Sequence, residues 1–167
     1  MNDSPAKTRL LFVCLGNICR SPAADGVMQH FLKKEGLEKL VVVDSAGTAN
    51  YHVGSLPDDR MRRAAAKRGI ALDHRGKHFR KELFDQFDLI LVMDDANLRD
   101  VRSLDPQGKH HGKIKLFAEY CTRHKLREVP DPYTGDASDF EFVLDLMEDG
   151  CTELVRQFKD NSLLKPL

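Results

Sequence analysis

Two residues near the start of the chain have the types and spacing for covalent phosphate chemistry. Cys14 and Arg20 stand in the run Val13-Cys14-Leu15-Gly16-Asn17-Ile18-Cys19-Arg20-Ser21-Pro22, with five residues between them. A thiolate is a strong nucleophile, but a free thiol is mostly protonated at neutral pH. A helix N-terminus and an arginine beside the sulfur both favour its anionic form. The same loop amides can hold the non-bridging oxygens of a phosphate, and the planar fork of Arg20 matches two of them. Gly16 permits close backbone approach, Asn17 tolerates the left-handed conformation of a tight anion loop, and Ser21 can donate its hydroxyl to the sulfur. Cleaving an ester also needs a proton for the leaving oxygen. Asp131-Pro132-Tyr133 offers one, as a carboxylate on a proline-stiffened loop beside an aromatic ring. Taken singly, Cys-x5-Arg describes a strand-end cysteine and a surface arginine, and Asp-Pro describes a turn. A nucleotide-binding loop would need Gly-x4-Gly-Lys-Ser/Thr here, whereas this loop has one glycine and no lysine.

The surrounding elements favour the chemical reading. Thr8 to Val13 reads as a strand whose continuous apolar run suits a buried parallel sheet. Ser21 as N-cap and Pro22 at the first helical position open a helix, with Ala24, Val27, Met28, Phe31 and Leu32 at helical spacing and Gly36 as its stop. A second strand spans Leu40 to Asp44, followed by a loop from Ser45 to Gly54. A helix over Asp59 to Lys67 ends at Gly69, and Asp73 to His78 is irregular and basic. A short helix over Arg80 to Gln86 precedes a third strand, Phe87 to Met93, and a helix over Asp95 to Val101. After a polar loop from Ser103 to Gly112, Lys113 to Phe117 forms the fourth strand. A long connection carries Asp131, and a last helix begins at Ser138-Asp139, with Glu141 completing a capping box. Its apolar face is Phe142, Val143, Leu146, Met147, Cys151, Leu154, Val155 and Phe158. The tail beyond it reads as polar and frayed.

Alternating strands and helices predict an α/β fold, a three-layer flavodoxin-like arrangement with a four-stranded parallel sheet in the order 2-1-3-4. Ligands of such sheets bind at the carboxyl ends of the strands, near the topological switch point, which is where the Cys14 loop falls. Residues 1–167 read as one domain with no repeat or linker.

Composition narrows the function classes. The 26 basic residues balance the 26 acidic ones, which argues against a nucleic-acid partner. No apolar run approaches a membrane span, and Met1 to Pro5 has no signal-peptide core, so a cytoplasmic, monomeric protein is expected. Cys14 and Cys19 lack CxxC spacing, and His110 and His111 are adjacent in a polar loop, so neither a metal nor a cofactor is expected.

The motifs together resemble the low-molecular-weight protein tyrosine phosphatases. The resemblance is carried by Val13 to Pro22, by Asp44-Ser45-Ala46-Gly47-Thr48, by Leu89 to Asp94 with Asn97-Leu98, and by Asp131-Pro132-Tyr133, in the family's order along nearly the whole chain. It implies that Cys14 forms a phosphocysteine, that Arg20 binds the phosphate and its transition state, and that Asp131 protonates the leaving phenol and then activates water. It implies that Leu15, Gly16, Asn17, Ile18, Cys19 and Ser21 form the substrate loop, with Tyr51 and Tyr133 as walls for an aromatic ring. Asn17, Ser21, Ser45 and His74 match the family's hydrogen-bond network. Cys19 matches a second loop cysteine, which implies a reversible disulfide with Cys14 that guards the nucleophile from over-oxidation.

The implied substrates are phosphotyrosine proteins and small aryl phosphates, with phosphate and vanadate as oxyanion inhibitors. Departures fall on the rim. Tyr51-His52 stands where many members have Trp-His, Thr134 stands where some have a second tyrosine, and the pattern loosens over Arg75 to His78.

Two rivals from other classes are weaker. An arsenate reductase of this fold would need redox cysteines near the third strand, and Lys81 to Asp95 has none. A non-enzymatic phosphate binder would lack one of Cys14, Arg20 and Asp131. Within the family, a threonine at the position of Ile18 accompanies phosphoarginine preference, so Ile18 favours phosphotyrosine.

Overall fold

A computed structural model describes residues 7–163. The expectations for Met1 to Pro5 and for the end of the tail lie outside the described residues. Strand β1 (Thr8–Cys14) sits inside a four-stranded sheet, hydrogen-bonded to β2 (Val41–Gly47) on one side and β3 (Leu89–Val92) on the other, with β4 (Ile114–Leu116) beyond β3. All three pairings are parallel, and the order is β2-β1-β3-β4.

A central parallel strand must bury both faces, which is why β1 is apolar without alternation. Leu10 and Phe12 enter a core shared with α1 (Arg20–Lys34), α2 (Asp59–Ala66) and α5 (Ala137–Lys159). Leu11 and Val13 enter a second core with Phe84 of α3 (Leu83–Gln86) and with Leu98 and Val101 of α4 (Asp95–Ser103). The fold is therefore the three-layer flavodoxin-like arrangement expected from the sequence. Both cores end at the carboxyl edge of β1, so Cys14 and the loop after it stand on a rigid platform.

Several local expectations are corrected. Helix α1 starts at Arg20 with Cys19 at the N-cap, and no side chain caps it. The Ser21 hydroxyl is engaged by Cys14 instead. Strand β2 runs on through Ser45, Ala46 and Gly47, because these small residues pair with Phe12, Val13 and Cys14. Strand β3 is shorter than Phe87 to Met93.

The capping box of α5 uses Asp136 and Asp139 rather than Ser138 and Glu141, since the Glu141 carboxylate instead pairs with Arg68 at 2.6 Å. Phe142 is exposed, its ring edge-on to His124, and Phe140 takes the buried place next to it. The apolar stripe of α5 is thus displaced by two residues at its first turn.

Candidate active site

Cys14 is the last residue of β1 and Arg20 the first of α1, so the five residues between them must turn the chain over the sheet edge. The turn depends on Asn17, which takes the left-handed conformation with φ 57°. Its side chain is buried and fully used. Nδ2 donates to Ser21 Oγ at 2.7 Å and to Ser45 Oγ at 3.0 Å, while Oδ1 accepts the Lys77 amide at 2.9 Å. His74 Nε2 lies 3.0 Å from the same Oδ1, which can only accept, so that nitrogen carries the proton.

The loop's outward carbonyls are also tied. Cys14, Leu15 and Ile18 accept from the amides of Thr48, Ala49 and Asp58 at 2.9, 2.9 and 2.8 Å. Gly47 permits this packing, because a Cβ there would lie 2.8 Å from the Leu15 carbonyl oxygen. Among the described residues, no hydrogen bond engages the amides of Leu15, Gly16, Ile18 or Cys19. Together with the uncapped start of α1, these donors form a concave set suited to an anion.

Cys14 is 2 % exposed and lines this concavity; its sulfur is the candidate nucleophile. It lies 3.0 Å from Ser21 Oγ and 3.3 Å from the Asn17 amide, which donates to it. Ser21 Oγ is also 3.4 Å from the Ala46 carbonyl. The hydroxyl can thus turn its proton to the sulfur when the sulfur is anionic and to the carbonyl when it is a thiol.

Arg20 is 3 % exposed and fixed from behind. One terminal nitrogen donates to Asp94 Oδ2 at 2.7 Å and to the Val129 carbonyl at 3.1 Å. The other lies 3.5 Å from Asp131 Oδ2. Burial works against the guanidinium charge, but Cys14, Asp94 and Asp131 outweigh it and hold the group above its ordinary value. Asp94 also caps α4, its Oδ1 accepting the Asn97 amide at 2.8 Å. Asp131 stands at the mouth, 46 % exposed, with Oδ1 accepting the Tyr133 amide at 3.1 Å.

Cys19, the last residue of the loop, is buried. Burial, and then the Asp58 carboxylate, push its thiol well above the ordinary range, so it stays protonated.

Cys14, Arg20 and Asp131 meet in one cavity of about 360 Å³, which Leu15, Gly16, Ile18, Cys19, Tyr51, His52 and Tyr133 complete. Asn17, Ser21, Ser45 and His74 do not line it but form the bracing behind the loop. Tyr51 and Tyr133 both line the cavity as exposed rings, and Arg60 lies over the Tyr133 ring at 5.4 Å.

Sequence reasoning missed Asp94 and the Val129 carbonyl as the anchors of Arg20, and it placed His52 on the rim without naming it among the site residues. It also missed the groups behind His74, whose Nδ1 lies 3.6 Å from Asp44 and 3.8 Å from the buried Asp25. Burial raises the Asp25 carboxyl above the usual carboxylate range, against the hydrogen bond from Gln29. One carboxylate oxygen each of Asp25 and Asp44 and one ring nitrogen of His74 lie within 4.8 Å of one another. Lys77 pairs with Asp44 there and supplies the compensating positive charge. The signals for the Arg20 anchor were an acid two residues past the buried strand β3 and its place at the end of the segment Leu89 to Asp94.

Residues 9–163 match the family model described as low molecular weight phosphotyrosine protein phosphatase. A Synechocystis protein that carries the family's name is 49% identical over 147 residues, spanning 88% of this chain and 94% of its own. The low molecular weight phosphotyrosine protein phosphatase of Saccharomyces cerevisiae is 37% identical, spanning 85% of this chain and 89% of its own. The crystal structure of a protein tyrosine phosphatase from Entamoeba histolytica, with Hepes in the active site, superposes with a TM-score of 0.89 at 39% identity. That match covers 94% of this chain and 100% of the other.

Proposed function

Because the chain belongs to the low molecular weight phosphotyrosine protein phosphatase family and is a protein-tyrosine-phosphatase, we propose that Cys14, Arg20 and Asp131 carry out its reaction on phosphotyrosine and small aryl phosphates. The observation that carries this reading is their convergence in a single cavity, with unengaged amides around the sulfur and the Arg20 fork beside it.

The substrate's three non-bridging oxygens take the loop amides and the Arg20 fork, which places phosphorus above the Cys14 sulfur. The thiolate attacks phosphorus as the bond to the phenolic oxygen breaks. Asp131, protonated at this stage, gives its proton to that oxygen, and phenol leaves. Asp131, now a carboxylate, takes a proton from water, whose oxygen attacks the phosphocysteine. The P–S bond breaks, inorganic phosphate forms and the thiolate returns, stabilised by the Ser21 hydroxyl and the Asn17 amide. Charge on the transferring group is met by donors already in place, the arrangement most effective for phosphoryl transfer. Inorganic phosphate and vanadate occupy the same cradle as inhibitors.

The exposed rings of Tyr51 and Tyr133 flank the entrance and suit an aryl leaving group. Ile18 lines the same cavity with an apolar side chain, which favours a phenol over a guanidinium. Cys19 is the proposed redox partner. Peroxide oxidises the Cys14 thiolate to a sulfenic acid, and the Cys19 sulfur displaces its hydroxyl to give the disulfide and water. A protonated Cys19 leaves Cys14 as the first site of oxidation. We further read residues 1–167 as one phosphatase domain that acts as a cytoplasmic monomer.

The test is a leaving-group series of aryl phosphates on wild type, Cys14→Ser and Asp131→Asn. Cys14→Ser is expected to abolish turnover while phosphate still binds. Asp131→Asn is expected to slow poor leaving groups by about 10²–10⁴-fold and good ones far less. Turnover by Cys14→Ser, or an equal loss across the series for Asp131→Asn, would remove the proposed roles.

A further inference from the structure

A second, open groove of about 790 Å³ lies beside the catalytic cavity. Leu15 and Tyr51 line both and form their shared wall. The groove continues between the segment Phe79–Glu82 and the C-terminal end of α4, where Val101 and Leu104 face it. Phe79 and Val101 are buried and belong to the core, so the floor is rigid.

Among the described residues, the large exposed apolar side chains are Leu15, Tyr51, Val53, Leu104, Tyr133 and Phe142, and three of them, Leu15, Tyr51 and Leu104, line this groove. Grouped exposed apolar residues mark an interaction surface, whereas scattered ones do not. The charges on the rim, Arg80 and Lys81 against Glu82 and Asp100, cancel. The groove thus has no net charge to select a partner by, and the exposed side chains of Leu15, Tyr51 and Leu104 offer it apolar contact.

Leu15 and Tyr51 divide the catalytic cavity from the groove, and the polypeptide that carries a phosphotyrosine must leave the cavity over the rim. Resting on the phosphatase reading above, we propose that the groove seats an apolar side chain of the polypeptide substrate, roughly one to three positions from the phosphotyrosine, against Leu15, Tyr51 and Leu104. The groove then discriminates among phosphotyrosine polypeptides, while small aryl phosphates do not sense it.

The experiment compares kcat/KM for p-nitrophenyl phosphate and for two phosphotyrosine peptides, one with leucine flanks and one with glycine and serine flanks. The enzymes are wild type, Leu104→Glu and the milder Leu104→Ser. Wild type is expected to prefer the leucine-flanked peptide by about tenfold, the worth of one partly buried leucine. Both variants are expected to lose most of that preference and to keep p-nitrophenyl phosphate turnover within about twofold of wild type.

A wild type that turns over p-nitrophenyl phosphate without a flank preference overturns the groove alone, and one that turns over neither substrate overturns the phosphatase reading beneath it. A preference that survives both substitutions also overturns the groove. So does a concentration-dependent dimer that Leu104→Glu dissociates while peptide selectivity is unchanged, since the groove would then seat a second copy of the chain. If Leu104→Glu fails to fold, the wild-type preference and Leu104→Ser decide the matter.

Discussion

Asp94→Asn separates two tasks that one carboxylate performs. Oδ1 accepts the Asn97 amide and caps α4, while Oδ2 accepts from Arg20 at 2.7 Å. Asparagine has one carbonyl oxygen, and its other terminal atom is a donor. If the oxygen keeps the cap, the NH2 group faces the Arg20 guanidinium. If it turns to Arg20, the NH2 group faces the Asn97 amide. Arg20 is 3 % exposed, so water cannot replace the lost acceptor. Losing a hydrogen bond to a charged group costs about 1.5–3 kcal/mol, and losing a cap costs about 1 kcal/mol.

The first orientation therefore costs about 1.5–3 kcal/mol and the second about 1 kcal/mol, which lowers Tm by roughly 2–12 °C in a chain of this size. Asp94→Ala loses both interactions and is expected to cost about 3–4 kcal/mol. An unanchored fork also misplaces the phosphate, and kcat/KM for p-nitrophenyl phosphate is expected to fall about 10–100-fold in Asp94→Asn. Thermal unfolding by circular dichroism and steady-state kinetics read the two tasks independently. A wild-type Tm together with a wild-type kcat/KM would refute the argument. A lowered Tm with full activity would reduce Asp94 to a cap.

Two further outcomes follow from other close contacts. Gly76→Ala places a Cβ 2.2 Å from the His52 carbonyl oxygen, so the Tyr51-His52 rim must move. A loss of about 1–3 kcal/mol on thermal unfolding is expected, with a several-fold rise in KM for aryl phosphates and little change in kcat. Asp149 reaches from α5 to accept the amides of Thr122, Arg123 and His124 and to face the His124 ring at 2.7 Å. Burial would raise its carboxyl, but His124 and the three amides prevail and hold it below the ordinary value. The group's stabilisation is therefore fully present above the unfolded value of about 3.9 and is lost as pH falls through the lower folded value. Urea unfolding is expected to find Asp149→Ala about 2–3 kcal/mol less stable than wild type at neutral pH, with the gap closing below about pH 4. A gap that does not change with pH would rule out this account.

Much of the fold was legible because it rests on local patterns. The apolar run of β1, the periodicity of α1 and the alternation of strands with helices each reflect burial, and burial is what the sequence encodes most directly. The cysteine loop was legible for the same reason, since Cys14 to Pro22 is contiguous.

What escaped was long-range or competitive. The pairing of Arg20 with Asp94 joins residues 74 apart in the chain, and no spacing rule reaches that far. Ser21 reads as an N-cap because serine usually is one. Here the neighbouring thiol claims its hydroxyl, and the helix end remains open for an anion. Glu141 reads as half of a capping box until Arg68, from another helix end, takes its carboxylate. In each case a tertiary partner outbids the local one.

The anchoring of Arg20 has a consequence for timing. An arginine side chain carries about 2 kcal/mol of rotamer entropy. Asp94 and the Val129 carbonyl remove most of that freedom when the chain folds. Each arriving phosphate then meets a fork already aimed, and each departing one leaves it so. The disorder is given up once in the life of the molecule rather than once per turnover.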